Sequence, residues 1–418
     1  MSRVVIKPSK KIQGKIVPLS SKNSALPILV AACLCKEEVI LENFPTHSTD
    51  AKIMLDILID AGFNIEVNET EIKILPTAKQ EIKYKVSAKG CQIRYSILLM
   101  SLLIHKIGQF KIPLPGGCQI GERKHDISVD SLRTMGATIS ETNKYINGKS
   151  SRRLQGKKIL FHTATTTGTE NIILAASVAG GITEIRNANT RPEVIDLIKF
   201  LHHAGVTIKY KSKHVIIYGK KEFGGGRFTI PADNYDAASF AILAAICRTK
   251  ITIASFDPRY IPEEIDVLKK IGVSFYQKGK DLVVDSRNRK LKPFFLVTSA
   301  YPGINSDMHP LFSALAVTIK GESIITETRF KDRFQYVKEF KKLGADIQHY
   351  MDSVVINGGT KLKGARVKAT DVRAGIALLF LSLSAEKRII IDDFQQIERC
   401  YQHIITRLSS LGADISKK

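Results

Sequence analysis

The sequence predicts a two-domain α/β protein built from six copies of one repeat. The first observation is a glycine between a helix-like stretch and a β-like run, which recurs six times at a spacing of about 70 residues. The six glycines are Gly62, Gly136, Gly205, Gly272, Gly344 and Gly412. The second observation is length. A chain of 418 residues exceeds what one hydrophobic core usually serves, so we expect three repeats in each of two domains.

Each repeat opens with a helix that is apolar on nearly all sides. These helices are predicted at residues 24–34, 96–105, 171–179, 237–247, 308–318 and 374–384. A β-type run follows each of them, and a second helix with one polar face then leads to the glycine. In the third repeat Pro192 and Glu193 suit the first turn of that second helix. Because a helix that is apolar all round must be buried, we expect helices inside and strands outside each domain.

The predicted domains are residues 21–230 and residues 1–20 plus 231–418. Residues 1–20 precede the first buried helix, so they are free to pair with the last repeats, and the chain would then cross twice between domains. We expect the two domains to face each other across a cleft that opens and closes as a hinge.

Composition limits the classes of protein that fit. The apolar runs are too short to span a bilayer and the N-terminus has no secretory pattern, so we expect a soluble, cytoplasmic protein. The six cysteines and ten histidines show no metal-ligand spacing. A net charge of +23 fits a solvated surface, attraction of anionic substrates, or nucleic-acid binding. Because the cations are spread over every repeat without interleaved aromatics, we predict neither a nucleic-acid nor a membrane partner.

A loop at residues 113–123 interrupts the repeat. Its two prolines stop a strand, its two glycines permit many backbone conformations, and Cys118 follows them. Arg123 and Lys124 would favour the thiolate of Cys118, which makes it a candidate reactive group. The alternative is a surface loop with an incidental thiol.

Basic residues at helix starts and loop ends form a second candidate set. In a repeat protein, equivalent positions converge, so these cations could surround one multiply charged anion; the alternative is a scatter of surface charges. They are Lys22, Arg94, Arg123, Arg333, Arg373 and Arg399. Asp307 precedes an apolar helix, where it could be an N-cap or a general base.

Two segments carry a resemblance to a known family. Residues 21–27 (Ser-Lys-Asn-Ser-Ala-Leu-Pro) and 115–123 (Pro-Gly-Gly-Cys-Gln-Ile-Gly-Glu-Arg), with the repeat, resemble the enolpyruvyl transferases, most closely the branch with a cysteine loop. The resemblance implies a two-domain inside-out α/β barrel of six repeated units with an interdomain cleft. It also implies transfer of the enolpyruvyl group of phosphoenolpyruvate to the 3-hydroxyl of UDP-N-acetylglucosamine, releasing phosphate. That reaction is the first committed step of peptidoglycan precursor synthesis and so serves cell-wall biogenesis, cell shape and cell division.

The same resemblance assigns roles by position and implies no metal and no organic cofactor. Cys118 would protonate the methylene carbon, form an adduct with phosphoenolpyruvate and be the target of fosfomycin-type epoxides, while Asp307 would take the sugar hydroxyl proton. The catalytic set is Cys118, Asp307, Lys22 and Arg399. The phosphoenolpyruvate set is Lys22, Asn23, Arg123 and Arg399. The UDP-sugar set is Asn23, Arg94, Arg123, Lys124, His125, Asp126, Ile127, Thr163, Thr165, Thr166, Asp307 and Arg329, supported by Arg333, Asp371 and Arg373.

Departures from the family pattern cluster on the acceptor side. Lys124 and His125 replace a proline and an aliphatic residue, Thr163 replaces a common lysine, and Arg329 replaces an aliphatic residue beside the uracil site. Residues 233–236 (Asp-Asn-Tyr-Asp) also differ. The alternative hypothesis is therefore an enolpyruvyl transferase of specialised metabolism that acts on another nucleotide, such as UMP.

Overall fold

The structure of the chain is a computed structural model that describes residues 2–9, 11–116 and 125–418. Contacts divide these residues into two units. Unit I holds residues 20–116 and 125–231, and unit II holds residues 2–9, 11–19 and 232–418. Within the described ranges, no helix has the length and apolarity that crossing a membrane requires.

Helices and strands alternate along both units. The α-helices are α1 (Lys22–Ala32), α2 (Thr49–Asp60), α3 (Leu99–Ile107), α4 (Asp126–Thr134), α5 (Thr166–Val178), α6 (Pro192–His203), α7 (Asn234–Ile246), α8 (Pro262–Ile271), α9 (His309–Val317), α10 (Tyr336–Lys342), α11 (Val372–Leu383), α12 (Gln395–Glu398) and α13 (Ile404–Ser410). The strands are β1 (Arg3–Lys7), β2 (Gly14–Ile16), β3 (Val39–Glu42), β4 (Ile65–Asn68), β5 (Glu71–Ile74), β6 (Gln109–Pro113), β7 (Thr138–Glu141), β8 (Tyr145–Lys149), β9 (Lys158–Leu160), β10 (Ile182–Arg186), β11 (Thr207–Lys211), β12 (His214–Tyr218), β13 (Gly226–Thr229), β14 (Lys250–Ile253), β15 (Ser274–Lys278), β16 (Asp281–Asp285), β17 (Phe295–Val297), β18 (Gly321–Thr326), β19 (Asp346–Tyr350), β20 (Ser353–Gly358), β21 (Arg366–Lys368), β22 (Ile389–Asp392) and β23 (Asp414–Lys417).

The first helix of each repeat lies in a core, as the sequence predicts. In unit II every residue of α7 and α9 is buried, and Arg373 is the one residue of α11 that is not. In unit I the same role belongs to α1, α3 and α5. A helix that is buried on all sides packs against neighbours in every direction. Arg373 is the exception on α11, so it marks where this core meets polar surroundings. The predicted α/β repeat architecture is confirmed.

Small sheets cover these helices. In unit I the strand orders are β13-β3-β5-β4, β6-β8-β7 and β11-β12-β10-β9. In unit II they are β15-β16-β14-β2, β17-β18-β20-β19 and β21-β22-β1-β23. Within the described part of the chain each sheet keeps its own edge strands, so none closes into a barrel. Strands such as β12 alternate buried and exposed residues, which places one face of the sheet on the core.

The N-terminal segment completes two sheets of unit II. Strand β1 pairs antiparallel with both β22 and β23, and β2 pairs parallel with β14. A buried ion pair holds the segment that follows β2: Arg407 reaches Asp236 at 2.6 Å and also donates to the backbone oxygen of Val17 at 3.1 Å. The backbone N–H of Leu19 donates to the same carboxylate at 3.0 Å.

The six repeat glycines all adopt left-handed backbone conformations. Their φ values are 96° (Gly62), 110° (Gly136), 92° (Gly205), 119° (Gly272), 89° (Gly344) and 98° (Gly412). The prediction of six glycine-centred turns is confirmed. The space around the glycine differs between the repeats. A Cβ on Gly62 would lie 2.1 Å from the backbone oxygen of Glu81, whereas a Cβ on Gly136 would meet nothing within 4 Å.

Gly62→Ala and Gly136→Ala test whether backbone crowding adds to the conformational requirement at these turns. Both carry the left-handed penalty of about 1–2 kcal/mol for a residue with a Cβ. Only Gly62→Ala also forces two backbone segments of unit I apart, so its urea midpoint should fall further than that of Gly136→Ala. Equal losses in the two variants would contradict the close approach of Glu81.

Candidate active site

Asp307 of unit II lies between two arginines. Its Oδ1 contacts the Nη2 of Arg333, and its Oδ2 lies 3.1 Å from the Nη2 of Arg373. The Arg333 side chain is only 2% exposed, whereas that of Asp307 is 28% exposed. The guanidinium groups are therefore held below the surface while the carboxylate stays accessible from one side.

The alternative that Asp307 is an N-cap is wrong. Asp307 lies inside a short 3-10 turn, Ser306–Met308, and the capping residue is Asn305, whose side-chain oxygen accepts the backbone N–H of Asp307 at 3.0 Å. The polar residue two positions earlier performs the capping. The Asp307 carboxylate is left to bind arginine.

The supporting residues hold this cluster together. Asp371 is the N-cap of α11 and accepts the backbone N–H of Arg373 at 2.8 Å. The same oxygen of Asp371 lies 3.8 Å from the Nη1 of Arg333, and Arg333 also donates to the Ser306 hydroxyl at 3.2 Å. The structure thus brings Asp307, Arg333, Asp371 and Arg373 into one group.

Sequence reasoning missed the aromatic residues around Arg373. The Arg373 Nη1 donates to the Tyr401 hydroxyl at 2.7 Å, and its guanidinium carbon lies 5.0 Å from the Tyr235 ring centroid. The signal was available in part, since Tyr401 comes two residues after Arg399. Arg399 itself is half-buried at the end of α12, on the segment that carries Tyr401.

Arg329 lies on an exposed turn of unit II. A buried carboxylate shapes that turn: Oε1 of Glu327 accepts the backbone N–H groups of Arg329 at 2.8 Å and Phe330 at 3.1 Å. The Glu327 side chain therefore fixes the backbone from which Arg329 projects.

In unit I, Lys22 and Asn23 begin α1, and Arg94 begins a short 3-10 helix that packs against α1. Lys22 is the first residue of α1, capped by Ser21, and its Nζ lies 2.7 Å from Oδ2 of Asp50. The Tyr95 hydroxyl, next to Arg94, donates to the backbone oxygen of Asn23 at 3.4 Å. Asp50 is a partner that no motif in the sequence indicated.

The predicted acceptor residues of unit I also come together. Asp126 begins α4 and pairs with His162 at 3.4 Å, on the loop that carries Thr163. At the start of α5, Gly168 lets the helix approach Ile127, because an added Cβ would lie 3.2 Å from that side chain. Thr165 caps α5 without a side-chain bond, and Thr166 accepts from the Asn189 amide at 3.1 Å. His125 instead turns to Glu141, at 2.7 Å.

Three predicted residues, Cys118, Arg123 and Lys124, lie outside the described residues. Their roles therefore stay predictions. Among the described side chains, no group of three or more His, Cys, Asp or Glu is arranged to hold a metal ion.

Comparison with known proteins reveals relatives along the whole chain. The family model for EPSP synthase (3-phosphoshikimate 1-carboxyvinyltransferase) matches residues 6–408. The chain is 36% identical over 420 residues to UDP-N-acetylglucosamine 1-carboxyvinyltransferase 1 of Clostridium acetobutylicum, covering all of both proteins. It is 34% identical to UDP-N-acetylglucosamine 1-carboxyvinyltransferase of Coxiella burnetii, covering 100% of this chain and 96% of that protein.

Solved structures share the fold. The enolpyruvyl transferase NikO from Streptomyces tendae superimposes with a TM-score of 0.88 at 18% identity, covering 100% of this chain and 99% of that one. EPSP synthase from Acinetobacter baumannii superimposes with a TM-score of 0.79 at 19% identity, with full coverage of both chains. The resemblance inferred from residues 21–27 and 115–123 is confirmed at the level of family and fold. The chain belongs to the EPSP synthase family and is an enolpyruvyl (1-carboxyvinyl) transferase.

Proposed function

We propose that this enzyme transfers the enolpyruvyl group of phosphoenolpyruvate to the 3-hydroxyl of UDP-N-acetylglucosamine and releases phosphate. The observation that carries the proposal is the full-length match, at 34–36% identity, to relatives that bear the name of this activity. The reaction would be the first committed step of peptidoglycan precursor synthesis, in the cytoplasm.

Asp307 would be the base that accepts the hydroxyl proton. Its position supports this role, because the carboxylate is partly exposed while both of its arginine partners lie deeper. A positioned base within reach of the proton typically contributes 10²–10⁴-fold to the rate. The neighbouring guanidinium groups of Arg333 and Arg373 would supply fixed positive charge to the departing phosphate.

Lys22, Arg123 and Arg399 would bind the phosphate and carboxylate of phosphoenolpyruvate, with Asn23 and Arg94 beside them. In unit I the ammonium of Lys22 is already oriented by Asp50, at the start of a helix, where the helix dipole favours an anion. Cys118 would deliver a proton to the methylene carbon of the substrate. That step makes the adjacent carbon electron-poor, and the acceptor oxygen bonds to it as the hydroxyl proton passes to Asp307. Phosphate then leaves with the electrons of its bond to that carbon, and loss of a proton from the new methyl group restores the double bond of the enolpyruvyl product.

A second acceptor is favoured by particular residues. His125 pairs with Glu141, and Arg329 projects from the turn shaped by Glu327. These polar side chains differ from what the family carries beside a UDP-sugar. An enolpyruvyl transferase of another nucleotide, such as UMP, is therefore the alternative, and the fold shared with NikO is compatible with either acceptor.

Phosphate release from phosphoenolpyruvate distinguishes these acceptors. Purified enzyme should turn over UDP-N-acetylglucosamine with a higher kcat/KM than UMP or UDP. The proposed attacking hydroxyl belongs to the N-acetylglucosamine group, which UMP and UDP lack. Turnover of UMP without turnover of the UDP-sugar would replace the first proposal by the second. Absence of phosphate release with all three would overturn both.

Cys118→Ser tests the proposed proton donor. We expect turnover at neutral pH to fall by about 10²–10⁴-fold, because a serine hydroxyl is a much weaker acid than a thiol. Inactivation by fosfomycin should also disappear. The matched control is Cys91→Ser, which changes an exposed cysteine of unit I and should leave both properties unchanged. Retained activity and sensitivity in Cys118→Ser would refute the assignment.

Asp307→Asn tests the proposed base. The amide keeps the size of the side chain but cannot take a proton, so kcat should fall by about 10²–10⁴-fold while the KM for phosphoenolpyruvate changes little. Asp281→Asn is the control, since Asp281 pairs with Lys15 in a sheet of unit II and should keep full activity. A normal kcat in Asp307→Asn would exclude this role.

A further inference from the structure

A chain of hydrogen bonds connects Arg373 to the backbone of α7. The Arg373 Nη1 lies 2.7 Å from the Tyr401 hydroxyl, which lies 2.8 Å from the Ser239 hydroxyl. The Ser239 hydroxyl in turn donates to the backbone oxygen of Tyr235 at 2.6 Å. Tyr401 is 1% exposed and Ser239 is fully buried, so water does not compete for these bonds.

The donors and acceptors of this chain can be arranged in one way only. A guanidinium group donates and never accepts, so the Tyr401 oxygen accepts from Arg373. Its own proton must then go to Ser239, because the Ser239 proton is used on the Tyr235 carbonyl. Burial raises the pKa of Tyr401 to about 12, although Arg373 and Ser239 act in the opposite direction, so the hydroxyl keeps its proton at neutral pH.

Tyr235 supports both members of the Asp307–Arg373 pair. Its ring lies 5.0 Å from the Arg373 guanidinium carbon, and the Tyr401 ring lies 5.5 Å from it, distances typical of cation–π contacts. The Tyr235 hydroxyl accepts a hydrogen bond from the Asn305 side-chain amide. Asn305 is the residue that caps the short 3-10 turn containing Asp307. Through Tyr235, helix α7 therefore contacts Arg373 directly and the turn that carries Asp307 by way of Asn305.

We propose that Tyr401 and Tyr235 are positioning residues that hold the Arg373 guanidinium against Asp307. The inference rests on the proposed function, in which Asp307 is the base. Arginine has many rotamers, and fixing one of them before substrate binds removes that ordering from the catalytic step. A misplacement of about 1 Å in a catalytic group lowers the rate by roughly 100-fold, which makes such restraint consequential.

A second buried tyrosine of unit II provides a matched control. In the fifth repeat the Tyr336 hydroxyl lies 2.7 Å from the Ser313 hydroxyl, which donates to the backbone oxygen of His309 at 3.0 Å. Tyr336 is fully buried, like Tyr401, and Ser313, like Ser239, donates to the backbone oxygen four residues earlier in a fully buried helix. The ring nitrogen Nδ1 of His309, at 3.4 Å, takes the place that Arg373 has beside Tyr401. Both tyrosines are thus buried and bond a serine hydroxyl, and they differ in the third group, which is Arg373 for Tyr401 and His309 for Tyr336.

Tyr401→Phe and Tyr336→Phe each remove one buried hydroxyl that bonds a serine, so both should lower the urea midpoint by a similar amount. Only Tyr401→Phe should lower kcat, by roughly 10- to 100-fold. In an Arg373→Lys background the further loss caused by Tyr401→Phe should shrink to less than about 3-fold, because the partner of the hydroxyl is already absent. Equal kcat values for the two tyrosine variants, or full additivity with Arg373→Lys, would overturn the inference.

A structural readout separates this inference from the proposed function. Crystal structures of the two variants should show the Arg373 guanidinium displaced in Tyr401→Phe and unmoved in Tyr336→Phe, whatever the acceptor. An unmoved Arg373 in Tyr401→Phe overturns the positioning role even if turnover falls. Wild-type enzyme that releases no phosphate with any acceptor overturns the proposed function, and the Arg373 displacement still decides the positioning role.

Discussion

The candidate site of unit II depends on the pairing of Asp307 with Arg333 and Arg373. A guanidinium group as buried as that of Arg333 is tolerated only with a partner, and removing one member of a buried ion pair costs about 3–5 kcal/mol. The carboxylate of Asp307 therefore stabilises the two buried arginines, and the arginines in turn orient the carboxylate. Any chemistry assigned to Asp307 uses a group whose geometry is already determined before substrate arrives.

The charged groups of unit I differ in character. Lys22 and Asp50 form a half-buried pair, whereas His162 and Asp126 form a largely exposed one. Exposed pairs contribute little to stability and are weakened by salt, so they can change during evolution without loss of the fold. Under the proposed function, acceptor choice would use these exposed groups of unit I, and the transfer chemistry would use the deeper arginine cluster of unit II.

The repeats provide the same scaffold for different purposes. Ser239 and Ser313 lie on buried first helices of two repeats, and each binds a buried tyrosine, yet one tyrosine contacts Arg373 and the other contacts His309. Burial lowers the pKa of His309 to about 3, with a contribution from Arg333, so this histidine stays neutral and adds no charge. The two tyrosine–serine pairs are therefore alike in burial and differ in whether the third group carries a charge.

Much of the fold could be predicted from the amino-acid order, because helix periodicity and glycine turns depend on residues close in the chain. The six glycine turns and the buried first helices were predicted on that basis, and so was the location of Lys22 and Arg373 at helix starts. The capping role considered for Asp307 was wrong, since Asn305 performs it. The partners Asp50, Tyr235 and Tyr401 were not predictable, because they meet their arginine or lysine across gaps of tens of residues or more. Such contacts exist only after the helices pack, when burial leaves each polar group few partners within reach.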